Sequence, residues 1–342
     1  MKTININTSS KKYNIHICKD ALLYTGEFIK NLNFKGKALV VTDNNVAPLY
    51  LDNVKKSLVN SGIEAFCVIL ESGEEHKNIN SIMKIYEAAN NCGINRKDMF
   101  IALGGGVIGD MTGFAAATYL RGVKYVQIPT TLLAQVDSSI GGKTGIDLPF
   151  GKNLVGAFCQ PEVVIVDTST IKTLPKQQIA SGMAEVIKSA FIRSEDFVNL
   201  LEKSVDFYAD AEEFIIHSIN VKKEVVEIDE FEKYERMMLN FGHTLGHSIE
   251  KLYNFTGISH GQAVAIGMIL ITKNEDVKNK LYKILNKYGL KTEIDIPVEK
   301  LIDAAKNDKK TVDGGINIVV VEKIGNAQIK KITFEEFYKI YG

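Results

Sequence analysis

The chain has 342 residues, of which 45% are hydrophobic and 24% are charged, and its 41 Lys and Arg residues balance 41 Asp and Glu residues. This composition is typical of a globular protein long enough for two domains, and it gives no reason to expect nucleic acid or an anionic membrane as a partner. No apolar run approaches the ~20 residues of a membrane span, and the N-terminus lacks the apolar core of a signal peptide. Cys18, Cys67, Cys92 and Cys159 stand apart without C-x-x-C spacing, which indicates small hydrophobic residues in a reducing cytoplasm.

Strands and helices alternate in the first half of the chain, after an opening hairpin predicted for residues 3–18 with its turn at 7–10. The predicted strands are 37–43, 66–70, 99–103, 125–128 and 163–166. The predicted helices are 54–61, 79–91 and 109–119. Short β-rich runs with helices between them predict a Rossmann-like α/β domain with a parallel sheet.

Long periodic segments dominate the second half of the chain. The predicted helices are 177–192, 197–208, 211–229, 233–253, 262–274, 277–288 and 297–307, with one strand at 316–321. We place the boundary near Leu174, which predicts a nucleotide-binding α/β domain over 1–174. A mainly α-helical metal- and substrate-binding domain is predicted over 175–342, with the site in the cleft between the two domains.

Three residues of the second half have the chemistry of a catalytic zinc site. They are Glu185 in M-A-E-V-I-K, His243 in N-F-G-H-T-L-G-H and His260 in S-H-G-Q. One carboxylate and two imidazoles form a ligand set that leaves one zinc position open for substrate. The largely small and apolar run 179–191 favours a buried Glu185–Lys188 pair over a surface ion pair worth a few tenths of a kcal/mol.

The predicted helix 233–253 is expected to carry one polar face. At ~100° per residue, Arg236, Asn240, His243 and His247 fall within about 60° of one another on an unbroken helix. The alternative is a solvated polar stripe, but such stripes are normally built from Lys and Glu. We therefore expect these four side chains to face one pocket.

A glycine-rich turn follows the predicted strand 99–103. Gly104, Gly106 and Gly109 match G-x-G-x-x-G before a helix, where backbone N–H groups and the helix N-terminus bind a pyrophosphate. The turn follows the third predicted strand, however, and no acidic residue ends a strand ~20 residues later. The candidate ribose-binding residue lies upstream, at Asp43. The pattern indicates either dinucleotide binding in a variant topology or a tight turn that binds no dinucleotide.

A second glycine-rich segment covers residues 137–156. Lys143 and Lys152 are flanked by glycines and preceded by Thr130 and Thr131, so they form a candidate anion-binding surface. The alternative is a flexible loop. The run G-G-K-T lacks the earlier glycine at P-loop spacing, which excludes an NTPase of that class.

In order along the chain, these motifs resemble those of the 3-dehydroquinate synthase family, within the sugar phosphate cyclase superfamily, over roughly residues 37–325. They are G-E-E-H-K, G-G-G-V-I-G-D, P-T-T-L-L-A-Q-V-D-S-S-I-G-G-K-T-G, G-K-N-L-V-G-A-F, A-E-V-I-K, E-R-M-M-L-N-F-G-H-T-L-G-H, S-H-G-Q-A-V and D-K-K. Asp147-Leu148 and Cys159 replace the Asn-His pair and the aromatic residue of many relatives, which weakens any prediction about that loop's contacts but leaves the site residues intact.

The resemblance implies a full set of site residues. The residues implied to bind NAD are Asp43, Asn45, Glu74, Lys77, Gly105, Gly106, Asp110, Thr130, Thr131, Lys143, Lys152 and Thr173. Those implied to hold Zn²⁺, or Co²⁺, are Glu185, His243 and His260. Those implied to meet a seven-carbon keto-acid phosphate are Asp137, Lys143, Lys152, Asn153, Lys188, Lys222, Arg236, Asn240 and His247. Either Lys309 or Lys310 joins the phosphate pocket, and Arg121 reaches the neighbouring site of a homodimer.

The implied reaction converts 3-deoxy-D-arabino-heptulosonate 7-phosphate to 3-dehydroquinate and phosphate in the shikimate pathway. A transient oxidation by NAD acidifies a C–H bond, phosphate leaves with its own oxygen as base, and the ketone is reduced again. An intramolecular aldol addition then closes the carbocycle. Such a site mainly binds and orients its substrate.

Three alternatives share parts of the pattern. A related cyclase such as 2-deoxy-scyllo-inosose synthase would share fold, NAD and metal, but Lys188, Asn240 and His247 together favour dehydroquinate formation. A metal-dependent polyol dehydrogenase of the glycerol dehydrogenase type would not need lysines directed at phosphate and would release NADH. A nucleotide-sensing or scaffold protein would not need intact metal ligands.

Overall fold

The computed structural model describes residues 1–254, 257–308 and 315–342. Within these residues the chain forms two compact units, Met1–Leu174 and Pro175–Gly342.

The first unit is built on a sheet with helices between its strands. Its strands are β1 (Lys2–Asn7), β2 (Lys12–Cys18), β3 (Ala38–Asp43), β4 (Ala65–Leu70), β5 (Met99–Gly104), β6 (Lys124–Pro129), β7 (Lys143–Leu148), β8 (Gly151–Phe158) and β9 (Val163–Asp167). Its α-helices are α1 (Thr25–Lys30), α2 (Asp52–Asn60), α3 (Ile79–Asn91) and α4 (Gly106–Thr118). Short 3-10 or π turns cover Ala21–Tyr24, Ala47–Leu51, Glu74–His76, Tyr119–Arg121, Ala134–Ser138 and Thr168–Thr173.

The main sheet has seven strands in the order β1-β2-β9-β6-β5-β3-β4. Only β1 runs antiparallel, paired with β2 in the predicted hairpin. After β4 the chain crosses β3 to place β5 on its other side, so the strand order reverses between β3 and β5. The carboxyl ends of strands at such a reversal form the crevice in which α/β proteins bind ligands. The predicted parallel α/β sheet is confirmed.

Both faces of the sheet are covered, which explains why its central strands are continuous apolar runs. Alternate residues of β3 point to opposite faces. Val40 belongs to a buried cluster with Phe28 of α1 and Leu58 of α2. Leu39 belongs to a second cluster with Ile82 of α3 and residues of α4.

The second unit is mainly helical, as predicted. Its elements are α5 (Lys176–Arg193), α6 (Glu195–Lys203), α7 (Phe207–Ile228), the 3-10 helix Glu235–Asn240, α8 (His243–Leu252), α9 (His260–Ile271), α10 (Glu275–Lys287), α11 (Val298–Asp308), β10 (Gly315–Lys323), β11 (Asn326–Thr333) and α12 (Phe334–Tyr341). The sequence prediction contained neither β11, which pairs antiparallel with β10, nor α12.

The predicted unbroken helix 233–253 is wrong. A 3-10 helix ends at Asn240, and α8 begins at His243 after Gly242, whose φ is 79°. A Cβ at Gly242 would lie 2.5 Å from the Met268 side chain and 2.7 Å from the Val264 carbonyl oxygen. The chain therefore turns where it touches α9, and the expected four-residue helical face does not exist. Arg236 and Asn240 lie on the 3-10 helix, whereas His243 and His247 lie on α8.

The second glycine-rich segment is a hairpin of β7 and β8 over much of its length, and not a flexible loop. Lys143 pairs with Phe158 at one end, and Leu148 pairs with Gly151 at the turn. Lys143 and Lys152 therefore lie roughly 14 Å apart along the hairpin. Their expected shared anion-binding surface stays a prediction.

Candidate active site

Three helices of the second unit meet closely enough to bring distant polar residues together. A Cβ on Gly261 would lie only 2.1 Å from the Ser181 carbonyl oxygen, so the start of α9 touches α5. A Cβ on Gly267 would lie 2.0 Å from the Gly242 carbonyl oxygen, so α9 also touches the start of α8. Backbone contact of this kind is open only to glycine. It sets His260, the first residue of α9, beside α5 and α8.

The predicted metal ligands converge at this junction. Oε1 of Glu185 lies 3.6 Å from Nε2 of His243 and 3.6 Å from Nε2 of His260, and one ligand atom of each residue falls within 4.8 Å of the others. Tetrahedral zinc ligands at about 2.0–2.1 Å from the ion lie roughly 3.3 Å from one another. The observed separations therefore fit a single zinc or cobalt ion with little adjustment.

The Glu185 carboxylate supports this fit. It is 1% exposed, and neither of its oxygens has a hydrogen-bond partner among the described residues, although Lys188 forms an ion pair with it. A buried carboxylate oxygen without a hydrogen bond is costly in free energy, and a divalent cation would satisfy it.

Backbone and carboxylate groups orient the two imidazoles. Nδ1 of His243 lies 3.2 Å from the Phe241 carbonyl oxygen, to which its N–H donates. Nδ1 of His260 lies 3.4 Å from Oε2 of Glu250. With Nδ1 as the donor in both rings, each Nε2 is left with a lone pair for a metal.

The charges at the junction shift three pKa values. Burial opposes ionisation of Glu185, but Lys188 and the two imidazoles hold the pKa of its carboxyl well below the usual range. Burial, and then Lys188, hold the pKa of His243 well below its usual value despite the attraction of Glu185. Burial also opposes the charged form of His260, but the nearby carboxylates of Glu185 and Glu250 raise its pKa to about 10. Glu185 is therefore anionic and His243 neutral, as ligands must be, and His260 must release a proton when it binds a metal.

Two predicted substrate-binding residues lie beside Glu185, His243 and His260, which we call the metal set. The ring of His247 lies 5.4 Å from that of His243 and 6.2 Å from that of His260 between centroids. Lys188 is 2% exposed and contacts Glu185. The structure thus brings five of the predicted second-unit residues into one cluster.

Arg236 and Asn240 form hydrogen bonds with residues 230 and 232, which lie shortly before them in the chain. Nη1 of Arg236, which is 2% exposed, donates to the Glu230 carbonyl oxygen at 2.5 Å. Nδ2 of Asn240 donates to Oε1 of Glu232 at 3.0 Å. Lys222 is buried on α7.

The carboxylate of Asp229 organises the same segment, a role that the sequence analysis missed. It accepts the backbone N–H groups of Lys233, Tyr234 and Arg236 at 2.9, 2.7 and 3.1 Å. An aspartate just after a helix and before a polar turn is the sequence signal for such a cap.

In the first unit, the crevice at the sheet reversal carries the predicted dinucleotide residues. Asp43 ends β3, and its Oδ1 accepts the N–H groups of Asn45 and Val46 at 2.9 and 3.0 Å. Gly105 is the N-cap of α4, and Gly106 is its first residue, directly after β5. The unsatisfied N–H groups of a helix start favour a phosphate.

Thr130 and Thr131 border this helix start at the end of β6. The Thr130 N–H donates to the Gly104 carbonyl oxygen at 2.9 Å, and its buried hydroxyl has no hydrogen-bond partner among the described residues. A Cβ on Gly105 would lie 3.0 Å from the Thr131 methyl group. Small glycines and a free hydroxyl at a helix start fit a pyrophosphate group.

Lys77 joins three predicted site residues of the first unit. Its buried Nζ donates to Oδ2 of Asp110 at 2.6 Å and to Oδ1 of Asn153 at 2.6 Å, and lies 3.9 Å from Glu74. Burial opposes its charge, but Asp110 and Glu74 raise the pKa of Lys77 above its usual value. A charged Lys77 therefore ties α4 to the β7–β8 hairpin.

Asp147 completes this network, another role that the sequence analysis missed. Its Oδ1 accepts the N–H of Asn153 at 2.7 Å, and its own N–H donates to the Lys77 carbonyl oxygen at 2.8 Å. Asn153 is held at φ 55°, a left-handed conformation that asparagine tolerates better than most residues.

Three further predicted residues lie in short turns of the first unit. Oγ1 of Thr173 lies 2.5 Å from the Tyr50 hydroxyl. Arg121 is exposed at φ 65°, in a left-handed run with Leu120. Asp137 lies in the turn Ala134–Ser138. The predicted phosphate contact by Lys309 or Lys310 falls outside the described residues.

Similarity to known proteins decides between the alternatives left by the motifs. Family models described as 3-dehydroquinate synthase N-terminal and 3-dehydroquinate synthase C-terminal match residues 67–181 and 182–311. A 3-dehydroquinate synthase of Clostridium kluyveri is 44% identical, with 99% of this chain and 98% of that protein covered.

The chain belongs to the 3-dehydroquinate synthase family. A further member, from Streptococcus mutans, is 42% identical over 97% of this chain and 98% of its own length. The resemblance inferred from the motifs is therefore confirmed.

Solved structures extend the likeness to the wider cyclase fold. A 2-deoxy-scyllo-inosose synthase complexed with carbaglucose-6-phosphate, NAD⁺ and Co²⁺ aligns with a TM-score of 0.87 at 25% identity, covering 99% of both chains. A glycerol dehydrogenase from Schizosaccharomyces pombe, at TM-score 0.62 and 16% identity over 85% of this chain and 81% of its own, shares the fold alone. In the part of the chain that the structure describes, no helix is both long and apolar enough to cross a membrane.

Proposed function

We propose that the chain is a phosphate-eliminating lyase that converts 3-deoxy-D-arabino-heptulosonate 7-phosphate to 3-dehydroquinate and inorganic phosphate. This reaction belongs to the shikimate pathway, which supplies chorismate and the aromatic amino acids. The observation that carries the proposal is the Glu185–His243–His260 set at metal-ligand separation, in a chain that resembles synthases of this name over almost its whole length.

The proposal assigns one cofactor to each unit. Glu185, His243 and His260 would hold a zinc or cobalt ion, which when bound supplies Lewis acidity to a substrate hydroxyl. The crevice of Asp43, the α4 start and Thr130 would hold NAD, which when bound accepts a hydride and returns it.

The chain's own residues mainly bind and orient the substrate. Lys188 lies beside the Glu185 carboxylate, where it keeps that ligand anionic. His247 borders the metal set and offers a ring nitrogen to a substrate hydroxyl. Fixed groups of this kind hold reacting atoms at near-attack distance and lower the entropic part of the barrier.

The anionic substrate groups require cationic partners. The residues that we assign to them are Lys143, Lys152, Lys188, Lys222 and Arg236, with Asn153, Asn240 and Asp137 as hydrogen-bonding partners and Lys309 or Lys310 as a further phosphate contact. A buried guanidinium such as that of Arg236 presents a planar fork to carboxylate or phosphate.

A homodimer completes the proposal. Arg121 is exposed on the first unit, where its guanidinium is available to a second copy of the chain. We also place the protein in the cytoplasm, a reducing compartment in which its four free cysteines would stay as thiols.

The substrate assignment is tested by offering two sugar phosphates to the purified protein with NAD⁺ and Zn²⁺. With 3-deoxy-D-arabino-heptulosonate 7-phosphate we expect sustained phosphate release and a product that a dehydroquinate dehydratase consumes. With glucose 6-phosphate we expect neither phosphate release nor that product. Phosphate release from glucose 6-phosphate alone would identify an inosose-type cyclase, the function suggested by the structural neighbour at 25% identity.

A further inference from the structure

Glu250 is a buried carboxylate next to the metal set but outside it. It follows His243 and His247 on α8 and is 5% exposed, and its Oε2 lies 3.4 Å from Nδ1 of His260. The other nitrogen of that ring, Nε2, lies 3.6 Å from Oε1 of Glu185. The imidazole of His260 therefore stands between two buried carboxylates, with one nitrogen directed at each.

We propose that Glu250 is a positioning residue for the metal. Its carboxylate accepts the Nδ1–H of His260, which fixes the tautomer and directs Nε2 toward Glu185. A carboxylate partner of this kind also makes the imidazole a more basic ligand. The inference rests on the proposed function, because it requires the metal that Glu185, His243 and His260 would hold.

His260 needs such a partner more than His243 does. The ring of His243 is 13% exposed, and a carbonyl two residues earlier in the chain orients it. The ring of His260 is 32% exposed, so its surroundings restrain it less. Both histidines are the first residues of their helices, α8 and α9. At a helix start the dipole adds positive potential, which weakens an imidazole as a metal ligand. The charge of Glu250 offsets this effect.

The proposed tautomer leaves Nδ1 of His260 no lone pair for a second metal at the neighbouring group His247, Glu250 and His260. Ligand atoms of these residues also lie within 4.8 Å of one another. Nδ1 of His260 cannot both carry the proton donated to Glu250 and offer a lone pair to another ion. The inference therefore requires one metal ion per chain.

Glu250→Gln and Glu250→Ala test the inference through metal binding without substrate. Metal-depleted protein is titrated with Co²⁺ against a competing chelator, following the visible absorption of bound Co²⁺. We expect the Kd to rise about 10-fold in Glu250→Gln and up to about 100-fold in Glu250→Ala, with a changed Co²⁺ spectrum. Glu275→Gln, which removes the same charge from the exposed first turn of α10, should leave both unchanged.

The outcomes separate this inference from the proposed function. Wild-type protein that binds no Co²⁺ would overturn the proposed metal site itself. Wild-type binding of one Co²⁺, with both Glu250 variants within about twofold of it, would overturn only the role of Glu250. If the variants lose thermal stability equally with and without metal, the role of Glu250 at the metal is also overturned, since such a result marks a purely structural role. Two Co²⁺ ions per wild-type chain would also contradict the inference. If Glu250→Ala does not fold, the nearly isosteric Gln variant decides.

Discussion

Replacing Gly261 with alanine should disrupt the proposed metal site without changing any of its ligands. The new Cβ would lie 2.1 Å from the Ser181 carbonyl oxygen, whereas ordinary contact begins at 3.4 Å. The start of α9 must therefore move about 1.3 Å away from α5, and His260 moves with it. The distance from Nε2 of His260 to Oε1 of Glu185, now 3.6 Å, then approaches about 5 Å, beyond the roughly 3.3 Å that zinc ligands span.

The expected loss of metal affinity is large. Losing one of three ligands should cost more than losing a partner of a ligand, which typically weakens binding 10- to 100-fold. We therefore expect Gly261→Ala to bind Zn²⁺ at least about 100-fold more weakly, or about 2.7 kcal/mol. The strain of overpacking should add about 1–3 kcal/mol of destabilisation.

Chelator competition with Zn²⁺ measures this effect, and Gly246→Ala is its control. The Gly246 Cβ would lie 3.2 Å from the Ala263 carbonyl oxygen, which requires a shift of only a few tenths of an ångström. We expect that variant to keep its affinity within about threefold. Wild-type affinity in Gly261→Ala would refute the argument that this backbone contact sets the position of His260.

Three further predictions concern residues outside the metal set. Lys77→Met should weaken NAD binding and destabilise the first unit by about 1–3 kcal/mol, because Asp110 loses a charged hydrogen bond of 2.6 Å. In chemical unfolding, a double variant with Asp110→Asn should recover part of that loss, and full additivity would contradict the pairing. Lys143→Ala should abolish turnover while NAD still binds, and unchanged turnover would remove its role as an anion anchor. Asp229→Asn should cost about 1 kcal/mol at neutral pH, because a neutral amide accepts weaker hydrogen bonds than a carboxylate and has only one acceptor oxygen for the three N–H groups. Burial opposes ionisation of Asp229, but its three backbone hydrogen bonds hold its pKa below the usual value. The contribution of Asp229 to the free energy of unfolding is therefore fully present above the unfolded-state pKa of about 3.9. It is lost as the pH falls through the lower folded-state pKa. Unfolding midpoints of wild type and variant should converge in acid, and a constant difference down to that range would argue against the cap.

The main sheet was predictable because its strands carry their own signals. Strands such as β3 and β5 are continuous apolar runs bounded by turns, and burial on both faces requires that pattern. The β7–β8 hairpin lacks such a run. Its pairing instead depends on Gly145 and Gly156, where an added Cβ would lie 2.7 and 2.2 Å from backbone oxygens of the partner strand, a close approach that sequence alone does not reveal.

The second unit shows where local periodicity fails. Residues 233–253 contain no proline, so local preference predicts one helix. The break at Gly242 is imposed by α9, a contact between segments distant in sequence. By contrast, α12 had a local signal that we did not use, the capping box of Thr333 with Glu336.

The proposed metal ligands could be named from residue types, but the residues that orient them could not. Glu185, His243 and His260 stand in distinctive contexts, and few alternatives compete for a zinc set. Glu250 and Asp229 are two acidic residues in a chain with 41, and only the folded backbone shows which of those residues turn back toward the site.

The most direct test of the proposed function is the balance between phosphate and NADH during turnover. Purified protein is supplied with Zn²⁺, 3-deoxy-D-arabino-heptulosonate 7-phosphate and NAD⁺ far below the substrate concentration, and both products are followed together. We predict phosphate released over many turnovers per NAD⁺ with no accumulation of NADH, since the hydride returns to the substrate in every cycle. NADH that accumulates without phosphate release would contradict the proposal and identify a dehydrogenase.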